Sequence, residues 1–201
     1  MNLPPLVLAS ASPRRFDLLT EVGVPFEVRA SHVDEDLVGP IGPVEAAREL
    51  ALRKALAVAK DLAAFPPRWV LGADTVVALG SDEAPILLGK PTDPADAQRM
   101  LASLSGTRHR VVTGICVVRT QDGAHFLDEE CTWVHMRPIS EAEVGAYVAS
   151  GEWRDKAGGY AIQETADAFV EALEGGGFDN VVGLPVARVF ALLERSGLAL
   201  G

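Results

Sequence analysis

The chain has 201 residues, 48% hydrophobic and 23% charged, enough for one globular domain with a sizeable core. Its formal net charge of −10 argues against non-specific nucleic-acid binding and against a basic membrane-surface role. Cys116 and Cys131 make neither a CxxC pair nor a disulfide framework, so a reducing cytoplasm is the expected setting.

Met1-Asn-Leu-Pro-Pro5 lacks the basic start and long apolar run of a signal peptide. Leu6-Val-Leu8 reads as a buried strand over about residues 5–9. After it, Phe16, Leu18, Leu19 and Val22 fall at helical spacing, which predicts a helix over 13–22. Ser12 suits the N-cap and Pro13 the first helical position. Arg14 and Arg15 then sit in the first turn, at the positive end of the helix dipole, where acids are expected. Two readings are open. The arginines bend back onto Asp17 and Glu21, or the turn is an anion site. In the second, free N–H groups and the hydroxyls of Ser10 and Ser12 face a phosphate, and the arginines add bidentate contacts. No P-loop and no GxGxxG is present.

Phe26 to Ala30 alternates as a second strand, and Ser31 to Pro43 is a loop holding the acidic knot Asp34-Glu35-Asp36. A long helix covers 44–63; its charged residues, Arg48, Glu49, Arg53 and Lys54 among them, exclude a membrane span. Trp69 to Leu79 is a strongly apolar strand interrupted by Ala73-Asp74-Thr75. A carboxylate there is hydrogen-bonded, binds a metal or faces a cleft at a strand end, which makes Asp74 a candidate general base or hard-cation ligand. A turn at Gly80-Ser-Asp-Glu83 leads to a short strand and to Leu88-Gly-Lys-Pro91.

A helix is predicted over 94–104. Strands over 109–119 and 124–137 flank the hairpin signal Gln121-Asp-Gly-Ala124. Ser140-Glu-Ala-Glu143 is a capping box opening a helix to about Ala149. Gly151 to Gln163 has a loop's composition, Phe169 to Leu173 reads as a strand, and the last helix runs from near Pro185 to before Gly197. The expected fold is one α/β domain over 1–201, a mixed sheet with flanking helices. Lys90, Lys156 and Lys54 are each ordinary lysines when taken alone. The histidines His32, His109, His125 and His135 show no HExxH or i, i+4 pairing and nominate no zinc site.

Nine segments in order carry a family resemblance. They are Ala9 to Arg15, Val33-Asp-Glu35, Arg53-Lys-Ala55, Gly72-Ala-Asp-Thr-Val76, Leu88 to Pro91, Leu104-Ser-Gly106, Val112-Thr-Gly114, Asp155 to Gln163 and Asn180 to Pro185. Over nearly its whole length the chain resembles the Maf-type nucleoside triphosphate pyrophosphatases. The resemblance implies hydrolysis of nucleoside triphosphates to monophosphate and pyrophosphate with a divalent cation, Mg²⁺ or Mn²⁺. It also implies a fold similar to inosine triphosphate pyrophosphatase, with two lobes around a cleft, and a cytoplasmic homodimer with neither nucleic acid nor membrane as partner. By the family pattern Asp74 is the proton acceptor. Ser10, Arg14, Arg15, Lys54 and Lys90 handle phosphate, and Glu35 lies near the metal with Asp74. Arg14, Thr75 and Gln163 match the dTTP/UTP type, where the 7-methyl-GTP type has Trp at the first position and Glu at the third; Thr75 and Gln163 would help read the base. Glu164-Thr-Ala-Asp167 departs from the Gly-rich continuation usual in the family and adds two acids beside the base pocket. Other readings are a nucleotide-binding regulator of cell division without turnover, and an Asp-nucleophile phosphatase. The second lacks the paired Asp it would need as acid.

Overall fold

The computed structural model describes residues 6–37, 39–81 and 83–198. Met1 to Pro5, including the first residue of the expected first strand, lie outside them. So do Val38, Asp82 of the expected turn, and residues 199–201. The strands are β1 (Leu6–Leu8), β2 (Phe26–Val28), β3 (Trp69–Leu79), β4 (Ile86–Leu88), β5 (Arg108–Arg119), β6 (His125–Met136) and β7 (Val170–Glu174). The helices are α1 (Pro13–Glu21), α2 (Pro43–Asp61), α3 (Pro94–Leu104), α4 (Glu141–Ser150), α5 (Phe178–Val182) and α6 (Val186–Arg195).

Among the described residues the strand order is β2-β1-β3-β5-β6-β7, with β4 beside β3. β1 runs parallel to β2 and β3, whereas β4 is antiparallel to β3 and β7 to β6. This is the expected mixed sheet with flanking helices. The chain divides into two compact units. The first holds the residues up to Asp74, Thr113–Glu130 and everything from Gly183 on; the second holds Thr75–Val112 and Cys131–Val182. No helix among the described residues is long and apolar enough to cross a membrane.

In the first unit the strand pleat sorts side chains onto two covered faces. Leu6, Leu8, Leu71, Ile115 and Val117 pack with Leu19 of α1 and with Val189, Leu192 and Leu193 of α6. The alternate residues Val7, Val70, Cys116 and Val118 pack against Ala51, Ala55, Val58 and Ala59 of α2. The alanine stripe lets α2 lie unusually close to the sheet. A Cβ on Gly72 of β3 would fall 2.3 Å from the carbonyl oxygen of Ala51 and 2.8 Å from the nitrogen of Ala55. One on Gly114 of β5 would fall 2.4 Å from the carbonyl of Ala47. Backbone, not a movable side chain, occupies both positions, so only glycine fits.

In the second unit α3 and α4 contribute Met100, Leu101, Leu104, Val144 and Tyr147 to a core that also takes in Trp153, Tyr160 and Phe169. The capping box forms as predicted: Glu143 N–H donates to Ser140 Oγ, and Ser140 N–H donates to Glu143 Oε2 at 2.8 Å. The stretch expected as loop contains a 3₁₀ turn at Ala157–Gly159, a second such turn covers Thr165–Phe169, and the strand expected from Phe169 starts at Val170. The five-residue α5 was not expected, being too short to show periodicity. Asn180 anchors it, with Nδ2 donating to Val111 O at 3.1 Å and to Thr132 Oγ1 at 2.8 Å. His109 is fully buried, its Nε2 2.8 Å from the Tyr160 hydroxyl, with no hydrogen-bond partner at Nδ1 among the described residues.

Two predictions follow from this packing. Gly72→Ala forces a methyl group into helix backbone and is expected to lower stability by about 1–3 kcal/mol, read from urea denaturation. An unchanged midpoint would show that α2 can move away without cost. Burial, with a smaller contribution from His135, lowers the His109 pKa from 6.5 to about 4. The unfolded chain therefore takes up a proton at this residue that the folded chain refuses. The stability from neutral His109 is complete above about pH 6.5 and is lost as pH falls toward 4, amounting to about 3 kcal/mol at ~1.4 kcal/mol per pKa unit. His109→Gln should flatten that part of the stability profile, measured by denaturation between pH 4 and 7.

Candidate functional site

The first unit brings six of the sequence-predicted residues, Ser10, Arg14, Arg15, Glu35, Lys54 and Asp74, into one neighbourhood. Ser10 follows β1 and is buried. Its Oγ accepts the Ser12 N–H at 3.1 Å and Arg15 Nη1 at 3.4 Å. Arg15 Nε donates to the carbonyl of Gly183 at 2.8 Å. The guanidinium is thus aimed across the turn, at Ser10 and Gly183. Ser12 occupies the N-cap position of α1 with extended backbone, but its side chain makes no capping bond, and the first turn contains no acid. Positive charge is therefore placed against the positive end of the helix dipole. Burial lowers the Arg15 pKa; Asp74 opposes this, Arg14 adds to it, and Glu35 opposes it. Arg14, Asp74 and Glu35 thus lie within electrostatic reach of Arg15.

Lys54, on α2, is the centre of the cluster. Its Nζ lies 2.5 Å from Asp74 Oδ1 and 2.7 Å from Glu35 Oε1. The Lys54 and Asp74 side chains are only 9% and 11% exposed, while Glu35 is 41% exposed. Two largely buried opposite charges pair at hydrogen-bonding distance, so neither charge is left uncompensated. Local structure explains how they meet. Asp74 lies two residues beyond Gly72 on β3 and so shares its α2-facing side. The missing Cβ at Gly72 brings the helix turn carrying Lys54 down to the carboxylate. Arg53, next to Lys54, holds the acidic loop by donating from Nη1 to the Asp36 carbonyl at 2.9 Å, and Glu49 fixes Arg53 Nε at 2.8 Å. Asp36 N–H in turn donates to Asp34 Oδ1. The expected loop thereby acquires the fixed geometry that presents Glu35.

The second unit holds Thr75, Lys90 and Gln163. Thr75 follows Asp74 in the strand and points to the opposite face, the one it shares with Val77. Val77 packs on Gly158, where a Cβ would fall 3.1 Å from its methyl groups. Gly158 N–H donates to the Gly89 carbonyl at 3.0 Å, which ties the glycine-rich segment ending at Gln163 to the turn carrying Lys90. Lys90 and Gln163 are exposed and Thr75 is half-buried. Gly183 and Lys156 were not predicted as functional. Gly183 acts through its carbonyl, and only its place in Asn180-Val-Val-Gly-Leu-Pro185 could have signalled it. Lys156 is buried, contrary to the default for a lysine taken alone.

The cluster offers an oriented carboxylate, a second carboxylate on the same ammonium, and guanidinium groups beside a helix N-terminus. These can accept a proton, share a cation and hold an anion. The family model for Maf-like proteins matches residues 5–196. A dTTP/UTP pyrophosphatase of Salinibacter ruber is 48% identical over 96% of this chain and 91% of its own length. One from Sphingopyxis alaskensis is 46% identical over 99% of this chain and 100% of its own. A solved structure of a nucleoside-triphosphatase, a dITP/XTP pyrophosphatase from Mycobacterium abscessus, is similar over 67% of this chain and 74% of that one. Its TM-score is 0.42 and its sequence identity 16%.

Proposed function

Because the chain belongs to the Maf-like protein family, we propose that it hydrolyses dTTP and UTP between the α- and β-phosphates, giving the nucleoside monophosphate and pyrophosphate. The observation that carries this reading is the Lys54 ammonium held between Asp74 and Glu35 at 2.5 and 2.7 Å. It fixes one oxygen of Asp74 and turns the carboxylate into an oriented acceptor. Asp74 takes the proton of a water that attacks the α-phosphorus. The bond from that phosphorus to the bridging oxygen breaks, and pyrophosphate leaves with the electron pair. Ser10, Arg14, Arg15, Lys54 and Lys90 bind the phosphate oxygens, and the cationic groups meet the charge that develops on the leaving group. Thr75 and Gln163 read the base, and the Gln amide supplies the donor and acceptor that a pyrimidine edge needs.

Asp74 and Glu35 converge on the Lys54 ammonium from two sides, and these two carboxylates, hard oxygen donors, are the residues that would hold a Mg²⁺ or Mn²⁺ ion. When bound, such an ion supplies Lewis-acid polarisation of a phosphoryl oxygen.

A panel of nucleoside triphosphates with Mg²⁺ and product identification tests the activity. dTTP and UTP should be the best substrates and should release pyrophosphate. Orthophosphate as the product would overturn the reading, and tight binding without turnover would make the chain a nucleotide-binding regulator. Asp74→Asn should lower kcat by roughly 10²–10⁴-fold; near-normal turnover would remove Asp74 from the role of base. Arg14→Ala is expected to raise KM and to change the preference among triphosphates. Unchanged kinetics across the panel would count against its assignment.

A further inference from the structure

The backbone that leads to Gln163 passes through the left-handed region three times. Asp155 has φ of 60°, and Gly158 and Gly159 have φ of 70° and 74°. A non-glycine residue in the left-handed region persists only where its surroundings over-determine it. The inner side of the segment is fixed by contacts already in the core. Besides Gly158 to Gly89 and Tyr160 to His109, the Ala161 N–H donates to the Tyr147 hydroxyl at 3.3 Å. Pro91 packs tightly on Gly159, where a Cβ would fall 3.1 Å from its Cγ.

The outer side is fixed by Glu152 and Lys156 acting on two residues that depart from the family pattern, Glu164 and Thr165. Lys156 opens the segment and donates to the Glu152 carbonyl. Its Nζ also lies 3.3 Å from Glu164 Oε2, immediately after Gln163. The Glu152 carboxylate accepts from the next residue twice, from Thr165 Oγ1 at 2.7 Å and from Thr165 N–H at 3.1 Å. Glu164 N–H closes back on the Ala161 carbonyl at 3.2 Å. Glu152 and Lys156 therefore grip the two positions that follow Gln163, and the same ammonium stands at the segment's start.

The consequence is positional more than energetic. The Glu164 side chain is 41% exposed, so its ion pair adds little to global stability. Lys156 is 10% exposed and requires an anionic or carbonyl partner in that setting. Pairing also neutralises an acid that would otherwise repel an anionic substrate in a chain of net charge −10.

We propose that Glu152, Lys156, Glu164 and Thr165 form a clamp that fixes the Gln163 backbone, making Glu164 and Thr165 positioning residues for base selection. The proposal rests on the reading of Gln163 as the base-reading residue. A glutamine amide on a long rotatable stem discriminates only if its Cα is held, because recognition geometry lost at the backbone cannot be recovered by the side chain.

Steady-state kinetics on dTTP, UTP, dATP and dGTP test it, comparing the unaltered protein with Glu164→Ala, Glu164→Gln, Thr165→Val and, as reference, Gln163→Ala. Glu164→Ala should raise KM for dTTP and UTP by about tenfold, short of the roughly 10²-fold of a full 1 Å misplacement. It should keep kcat within about twofold and reduce pyrimidine selectivity in the direction set by Gln163→Ala. Thr165→Val should do the same more weakly. Glu164→Gln keeps an oxygen for Lys156 and should retain most of the selectivity. If Glu164→Ala and Thr165→Val keep full selectivity while Gln163→Ala loses it, the clamp is overturned and the base-reading role stands. Unchanged selectivity in Gln163→Ala overturns that role and the clamp with it. A uniform fall in kcat on every nucleotide, with KM unmoved, also overturns positioning.

Discussion

Helix α2 touches β3 and β5 at backbone distance, and the rest of the site depends on that contact. It is possible because Ala47, Ala51 and Ala55 face Gly72 and Gly114, so the two surfaces meet without intervening side chains. A single added methyl would stand where helix carbonyls already are. The reward for this closeness lies two residues farther along β3. A lysine one helix residue from Ala55 reaches a carboxylate that the strand would otherwise bury alone. The ammonium satisfies Asp74, and the acidic loop then finds its own place on the other side of the same nitrogen. Packing comes first, the ion pair second, and the loop conformation third.

Charge balance sets the second constraint. The chain is strongly acidic, yet Arg14 and Arg15 are placed where a helix N-terminus is already positive. Arg15 tolerates its desolvation because Asp74 and Glu35 lie within reach of its field. A triphosphate bound there would relieve the remaining conflict between guanidinium groups and helix dipole. The cationic groups and the carboxylates therefore stabilise one another.

The second unit uses a different logic. Its elements hold a short backbone segment that turns through the left-handed region at Asp155, Gly158 and Gly159. The anchors come from four places: Gly89 after β4, His109 on β5, Tyr147 on α4 and Glu152 just beyond it. Gly89, His109 and Tyr147 each hold one point of the segment, and Glu152 holds both Lys156 and Thr165. Together they leave exposed Gln163 on a defined support.

The sequence by itself determined the regular elements and the residue types available for chemistry. Strand alternation, the Ser140 capping box, the hairpin signal and the long helix were all legible, because local periodicity and local hydrogen bonding decide them. Asp74 stood out for the same reason, as a charge inside an apolar strand. Tertiary structure alone decided the rest. Nothing in Arg53-Lys-Ala55 announces that Lys54 bridges two acids, because that depends on a helix-to-strand distance set by glycines elsewhere. The short α5 and the 3₁₀ turns lack the length to show a period, and their stability comes from partners such as Asn180 with Val111 and Thr132. Lys156 and Glu164 look like two surface charges in the sequence. They become an anchored pair only once the chain turns back on itself, because an ion pair depends on distance in space and the sequence records only distance along the chain.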